Sequence, residues 1–355
     1  MQRTIDPQTM TLYAELLDQM QMLDASRTTS SLKGSFSFKT IKGEEYVYFD
    51  HYSLGGHHQQ TYIGKRDDRL EDLIRKHAER KADALEMKAN IKRLGGQVRT
   101  GVNIHIDNAM VRVIQSLADA GVFKNGGVLV GTNAFQAIGV MLGIRWPRET
   151  MATTDIDVAV DLKVSVAIPE ITTDIPETIE SLELGFSPVP PMDPRKPSTS
   201  FKVRNRRLSL EILTPKLTAS DAPVFIRRFN CGAQPLSYLS YLIEEPAQAV
   251  IIGTDPVLVN VPEPARYALH KLIVSQVRDT SKHAKGEKDL SQAYHLLSLL
   301  QEIRPDDIPP AWENLVARGP KWKNNARKGW LAIEKRYGKI EVQIETDNSS
   351  LLRPP

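Results

Sequence analysis

Two carboxylates stand one residue apart inside an otherwise apolar run, "TTDIDVAV" (153–160), which follows "LVGTNAFQAIGV" (129–140). An isolated carboxylate in an apolar strand is costly to bury unless it is paired or bound to a metal. Side chains alternate along a strand, so Asp155 and Asp157 project from one face, about 7 Å apart at the backbone. That is close enough for both to hold one or two divalent cations. A third acid, Glu211 in "LSLEILTP", is flanked by apolar residues in the same way. Gly131 and Thr132 sit where a short apolar run opens a helical pattern. A helix start there presents free N–H groups and a positive dipole end to an anion. A phosphate-binding helix start and three strand acids for magnesium are what phosphoryl transfer from a nucleoside triphosphate (NTP) requires.

The elements that must position these residues read as α/β from about residue 106. "DNAMVRVIQSLADAG" (107–121) predicts a helix, "GGVLVG" (126–131) a buried strand and "TNAFQAIGVMLG" (132–143) a helix. "TDIDVAVDL" (154–162) predicts a strand and "PETIESLELGF" (176–186) a helix. "TSFKVRNRRLSLEILTP" (199–215) gives two strands around a turn holding Arg204, Arg206 and Arg207, which reads as solvated. Further strands precede helices over 264–278, 285–303 and a basic, Trp-containing stretch from 311 to about 337.

The first hundred residues have a different character. A helix is expected over 7–24, then a three-stranded meander over 35–64 with turns at Lys42-Gly43 and Gly55-Gly56, then a long charged helix over 66–94. In the meander, alternating Phe36 and Phe38 and the tyrosines 46, 48 and 52 have two readings. They stack on bases of a single-stranded nucleic acid, or they pack on a helix. Exposure of Phe38, Tyr46 or Tyr48 beside basic residues separates the two. His57-His58 lacks metal-ligand partners in sequence and reads as loop.

Composition narrows the class. The chain has 355 residues, 41% hydrophobic and 25% charged, with a net charge of only +3. That excludes a strongly basic nucleic-acid scaffold while leaving room for a local basic face. The single cysteine, Cys231, excludes an internal disulfide framework and a cysteine-rich zinc module. No basic and apolar leader opens the sequence, and no run approaches the length of a membrane span, so a cytoplasmic protein with no membrane partner is expected.

The constellation of Gly131, Thr132, Asp155, Asp157 and Glu211 resembles the nucleotidyltransferase fold of the DNA polymerase beta superfamily. The signature there is an apolar strand, Gly-Gly or Gly-Ser, a helix, an Asp-x-Asp or Asp-x-Glu strand, and a third acid on a neighbouring strand. Thr132 keeps the hydroxyl of the usual serine, whereas Glu211 departs from the usual aspartate. The wider pattern over about 106–300 resembles a bacterial nucleotidyltransferase-like clade. It is also similar to AbiEii-type toxin nucleotidyltransferases, whose helical domain carries a "KL" helix and a later "KD" pair. Those match Lys271 with Leu272 and Lys288 with Asp289. The resemblance implies an α+β fold: a nucleotidyltransferase mixed-sheet core (101–230), a mostly helical C-terminal domain (231–355), and an N-terminal helix, meander and charged helical arm (1–100).

It further implies transfer of a nucleoside monophosphate (NMP) to an acceptor hydroxyl. Asp155, Asp157 and Glu211 would be catalytic and bind Mg2+ or Mn2+. Gly131, Thr132, Lys271 and Lys288 would bind the nucleotide, with Lys271 reaching over a cleft rim from water. The acceptor is expected to be a tRNA or a protein, with a toxin role among the readings. Nucleic acid would be met through the N-terminal sheet or the basic C-terminal helices. The alternatives are a small-molecule (antibiotic-type) nucleotidyltransferase and a catalytically silent nucleic-acid- or partner-binding module.

Overall fold

The computed structural model describes residues 3–30, 34–52, 58–147, 150–151, 153–161, 173–191, 193, 195–204, 206–278 and 283–340. The expected turn at Gly55-Gly56 and His57 lie outside them. The chain divides into two compact units, Gln8–Thr100 and the remainder.

The smaller unit holds α1 (Pro7–Ser30), the meander β2 (Gly34–Ile41), β3 (Glu44–Tyr52) and β4 (His58–Lys65), and α2 (Asp68–Val102). Helix α2 runs further than the charged pattern suggests, because apolar Leu94, Val98 and Val102 bury its last turns. The meander's two faces divide the two readings of its aromatics. On one face the rings of Phe36 and Phe49 pack edge-on against His77 of α2, at centroid distances of 5.2 and 5.9 Å. The other face carries Tyr46, Tyr48 and Tyr62, with Lys39 Nζ 4.6 Å above the Tyr48 ring. Tyr62 is exposed and Tyr46 and Tyr48 half-buried, whereas Phe38 is exposed beneath the Arg66 guanidinium.

In the larger unit, β1 (Arg3–Thr4) pairs with β6 (Ile144–Arg145). Helix α3 (Asn108–Asp119) starts because Asp107 accepts hydrogen bonds from the N–H groups of Ala109 and Met110. Its helically spaced Met110, Val113, Ile114 and Leu117 are buried. Then come β5 (Gly127–Val130), α4 (Gly131–Met141), β7 (Asp155–Val160), α5 (Ile175–Glu180) and β8 (Phe186–Pro188). Helix α5 is shorter than the expected 176–186, because the chain turns at Glu183 (φ 53°) and Gly185 (φ 78°) into β8. After β9 (Ser200–Val203), β10 (Ser209–Pro215), β11 (Val224–Ile226) and β12 (Cys231–Leu236), the main sheet is complete.

That sheet is mixed, which makes the fold α+β. Strand β7 runs parallel to β10 and antiparallel to β5. The other edge of β10 is shared by two strands, β9 antiparallel over its first half and β12 parallel over its second. The expected boundary at residue 230 therefore falls between two strands of one sheet, and β12 belongs with the core sheet rather than with the helices.

A short α6 (Leu239–Ile243) leads into the hairpin β13 (Pro246–Ile252) and β14 (Pro256–Pro262). Asn260 Nδ2 ties β14 to the start of β5, donating to the carbonyls of Phe123 and Gly127 at 2.8 and 2.9 Å. The helices α7 (Pro264–Val277), α8 (His283–Ile303), α9 (Ile308–Ala317) and α10 (Pro320–Tyr337) follow. The basic helical stretch over 311–337 forms two helices, since Gly319 at φ 114° ends one and Pro320 begins the next. Phe135 of α4 stacks between Trp146 (4.5 Å) and Tyr267 of α7 (5.8 Å), joining the helical layer to the sheet. Its full burial stabilises by about 1.5–3 kcal/mol. Among the described residues no helix is long and apolar enough to cross a membrane.

Candidate active site

The register of β7 and β10 places the three acids. Asp155 stands opposite Ser209 and Asp157 opposite Glu211, so both pairs project from one face. Ser209 Oγ donates to Asp155 Oδ1 at 2.6 Å. Asp157 feels all the charge gathered here. Burial first, then Glu211 and then Asp155, pushes its carboxyl up to about 7, against the opposing pull of Lys271 and Lys285. Among the described residues, no three His, Cys, Asp or Glu side chains form a ready-made metal cluster. The acids are neighbours on two strands, with Asp155 turned to Ser209.

Gly131 and Thr132 lie directly beside them. Val130, the last residue of β5, pairs with Asp157, and α4 begins at the next residue. Among the described residues no side-chain hydrogen bond caps its N-terminus, so its first N–H groups are not taken up by a capping side chain. Gly131 has φ 69° and approaches Asp157 so closely that a β-carbon would overlap Oδ2. Only glycine fits that turn without strain. Asn133, buried in the same first turn, donates from Nδ2 to the Asp155 carbonyl at 2.9 Å and fixes α4 to β7.

The helical layer delivers the remaining residues. Lys288 of α8 donates from Nζ to Thr132 Oγ1 at 2.8 Å, which sets a cation at the start of α4. Burial, and then the neighbouring Lys271, draw its ammonium down to about 8, opposed by Asp289 and Asp155. Lys271 is not in water at a cleft rim. It is buried, with Nζ 2.6 Å from Asp289 Oδ1 and 5.3 Å from the centre of the Tyr267 ring. Burial alone would lower its pKa, but Asp289 and Tyr267 hold it above the ordinary lysine range. Arg278 Nε reaches the second oxygen of Asp289 at 2.5 Å. Helix α7 is buried on every side from Pro264 to Ile273, so a lysine there needs an internal partner.

Several residues with no sequence signature complete the arrangement. The Tyr267 hydroxyl lies 2.9 Å from the Gly131 carbonyl and 3.0 Å from Gln292 Oε1, and Gln292 Nε2 donates to the Thr150 carbonyl at 2.9 Å. This chain of bonds ties the glycine turn to α7 and α8. Ser209 is not among the sequence-predicted site residues, although its place two residues before Glu211 on the same face is the signal that could have found it. Lys285, exposed on α8, adds positive potential at Asp157.

The donor chemistry fits a hard divalent cation. All three acids offer oxygen ligands, and magnesium is ordinarily held by one or two carboxylates with substrate phosphates completing its shell. Burial first, and then the charges of Glu211 and Asp155, raise the Asp157 carboxyl, and a bound cation would offset the part that those two neighbours contribute.

A family model described as nucleotidyltransferase matches residues 108–317. No curated protein matches the chain. Among solved structures the chain is similar to an antigenic nucleotidyltransferase-like protein from Paracoccidioides brasiliensis. The two share 15% identity at a TM-score of 0.31, over 63% of this chain and 94% of that one. The family match spans more than half of the chain and contains all three acids and both lysines, and the chain belongs to the nucleotidyltransferase family.

Proposed function

We propose that the chain transfers a nucleoside monophosphate from an NTP to a hydroxyl of an acceptor, with Asp155, Asp157 and Glu211 holding Mg2+ or Mn2+. One observation carries this reading: the Asp157–Glu211 pair stands in register beside an uncapped helix start that Lys288 has reached. When bound, the cation supplies charge neutralisation along the triphosphate. The N–H groups at Gly131 and Thr132, with Lys288, bind the β- and γ-phosphates. Lys271 acts from beneath, raising the potential felt by Asp157 while it anchors α7 to α8. The acceptor oxygen bonds to the α-phosphorus as the bond to the β-phosphate oxygen breaks and pyrophosphate leaves. Glu211 takes the acceptor proton. A macromolecular acceptor, RNA or protein, is favoured over a small molecule by the basic helices beyond the sheet.

Incubation with each labelled NTP, Mg2+ or Mn2+ and a cell extract tests the reading. Label is expected in RNA or protein; label in a small molecule would change the acceptor class, and no transfer would reject the activity. Asp155→Asn with Asp157→Asn is expected to abolish transfer. Stability gives a second readout. Because the folded carboxyl of Asp157 titrates near 7, above its unfolded range, it costs the metal-free fold stability progressively as pH rises from about 4 to 7. Asp157→Asn therefore melts higher than the native chain at pH 8 without metal, and the two converge near pH 4.

A further inference from the structure

The strongest charge asymmetry in the molecule lies away from the acids, on α10. Its 18 residues carry Lys321, Lys323, Arg327, Lys328, Lys335 and Arg336 against one acid, Glu334. The net charge of the whole chain is only +3, so the remainder is net acidic. The acid is already engaged, since Trp330 Nε1 donates to Glu334 Oε1 at 3.1 Å. Arg336 pairs with Glu287 of α8. Among the described residues the other five cations of α10 form no ion pair.

These charges are arranged on a face. Ala326, Gly329, Trp330 and Ile333 point inward and are buried. Lys321, Lys328 and Lys335 recur every seven residues on the outside, all exposed, with Asn324 and Leu331 between them. At 1.5 Å per residue they form a stripe about 21 Å long. The helix is also firmly seated. Gly329 lies so close to the backbone of Leu272 that no β-carbon fits, and Leu272 follows Lys271 on α7. A ligand on the stripe is thereby held on the same rigid layer as Lys271.

We propose that this stripe binds the phosphate backbone of a nucleic acid, the acceptor strand of the transfer. The identification of the strand as acceptor rests on the nucleotidyltransfer reading above. Uncompensated like charges along one face repel each other, and a polyanion relieves this while releasing its own counterions. A membrane surface fits less well. The apolar side of α10 is turned into the protein, and only Leu331 among the stripe residues offers surface to a bilayer. A nucleic acid carries both the regularly spaced phosphates that such a stripe fits and a sugar hydroxyl of the kind that the proposed transfer needs.

The test uses the full chain and a version with Lys321→Glu, Lys328→Glu and Lys335→Glu, none of which touches the proposed site. Anisotropy of a labelled hairpin RNA and of a labelled DNA duplex is read between about 50 and 200 mM salt. The native chain is expected to bind with steep salt dependence. The variant should bind about tenfold or more weakly, with a slope of log K against log salt shallower by about 2–3. Binding of a labelled NTP should be unchanged in the variant. Equal nucleic-acid affinity in both proteins, no binding by the native chain, or binding only to phosphatidylserine vesicles would overturn the inference. Absent NTP binding in the native chain would instead strike the nucleotidyltransfer reading, which separates the two failures. If charge reversal lowers the thermal midpoint, the glutamine versions at the same positions must show the same loss in weaker form.

Discussion

The carboxylate of Asp157 lies against the α-carbon of Gly131, the residue that turns β5 into α4. The proposed phosphate site and the proposed metal site are therefore one steric unit. Gly131→Ala would place a methyl group on Oδ2 and hold alanine at φ 69°, which alone costs about 1–2 kcal/mol. The variant is expected to melt several degrees lower and to lose nucleotide transfer almost entirely. Thermal denaturation and labelled-NTP transfer measure the two effects. Native-like activity would mean that Asp157 is not confined by this turn.

The buried Lys271–Asp289 pair makes an asymmetric prediction. Asp289 has two cationic partners, Lys271 and Arg278, whereas the ammonium of Lys271 has Asp289 as its ion-pair partner. Asp289→Leu strands a buried ammonium and should cost about 3–5 kcal/mol in urea unfolding. Lys271→Met leaves Asp289 still paired with the half-buried Arg278 and should cost less. The double variant should recover part of the larger loss, since neither charge is left alone. The reverse order of the two single variants would contradict the geometry.

The acids were legible in the sequence because period-two alternation is a local property. Asp157 and Glu211 each sit between apolar neighbours, Asp155 opens the same apolar strand, and the register brings them side by side. Gly131 was legible for a similar reason, as a glycine where a strand must turn into a helix. Lys271 was legible as a residue type but not in its setting, because its partner lies 18 residues away on another helix. Nothing local distinguishes a lysine that reaches solvent from one that Asp289 neutralises. Tyr267 and Gln292 left no signature either, since each acts through a bond to a backbone carbonyl distant in sequence. The boundary at residue 230 failed because strand pairing is non-local. Cys231–Leu236 resembles the residues after it in composition, yet pairs with β10 before it.

His270, next to Lys271, gives a pH dependence independent of the site chemistry. It is buried, and neither ring nitrogen has a hydrogen-bond partner among the described residues. Burial first, then Lys271, draws its pKa down to about 3. The folded state therefore keeps the ring neutral where the unfolded chain would charge it. Its stability contribution is complete above about 6.5 and declines as pH falls from there toward 3. Relative to His270→Leu, the native chain should lose at most about 1.4 kcal/mol per pH unit below 6.5. Urea midpoints between pH 7 and 4.5 measure this, and parallel pH profiles for the two proteins would exclude it.

Lys288 links the charge at the start of α4 to NTP affinity. Its Nζ already reaches Thr132 Oγ1, and its ammonium loses its proton near pH 8 rather than in the ordinary lysine range. A cation that binds phosphate only while protonated makes affinity fall as pH rises. The bound triphosphate favours the charged form, so the fall in the complex begins above the value for the free protein. The dissociation constant of a fluorescent NTP analogue is thus expected to rise between about pH 8 and 9.5 in the native chain, as the charge-assisted contact is lost. Lys288→Met should bind about tenfold more weakly at pH 7, in line with about 1.5–3 kcal/mol for a hydrogen bond to a charged group, and should show no such rise. Lys288→Arg separates charge from structure, because a guanidinium stays protonated across the whole range. It should bind with intermediate affinity that does not change with pH. If the native chain shows the same flat profile as Lys288→Arg, then Lys288 does not contact the nucleotide phosphates, and the cation at Thr132 only braces α4 against α8.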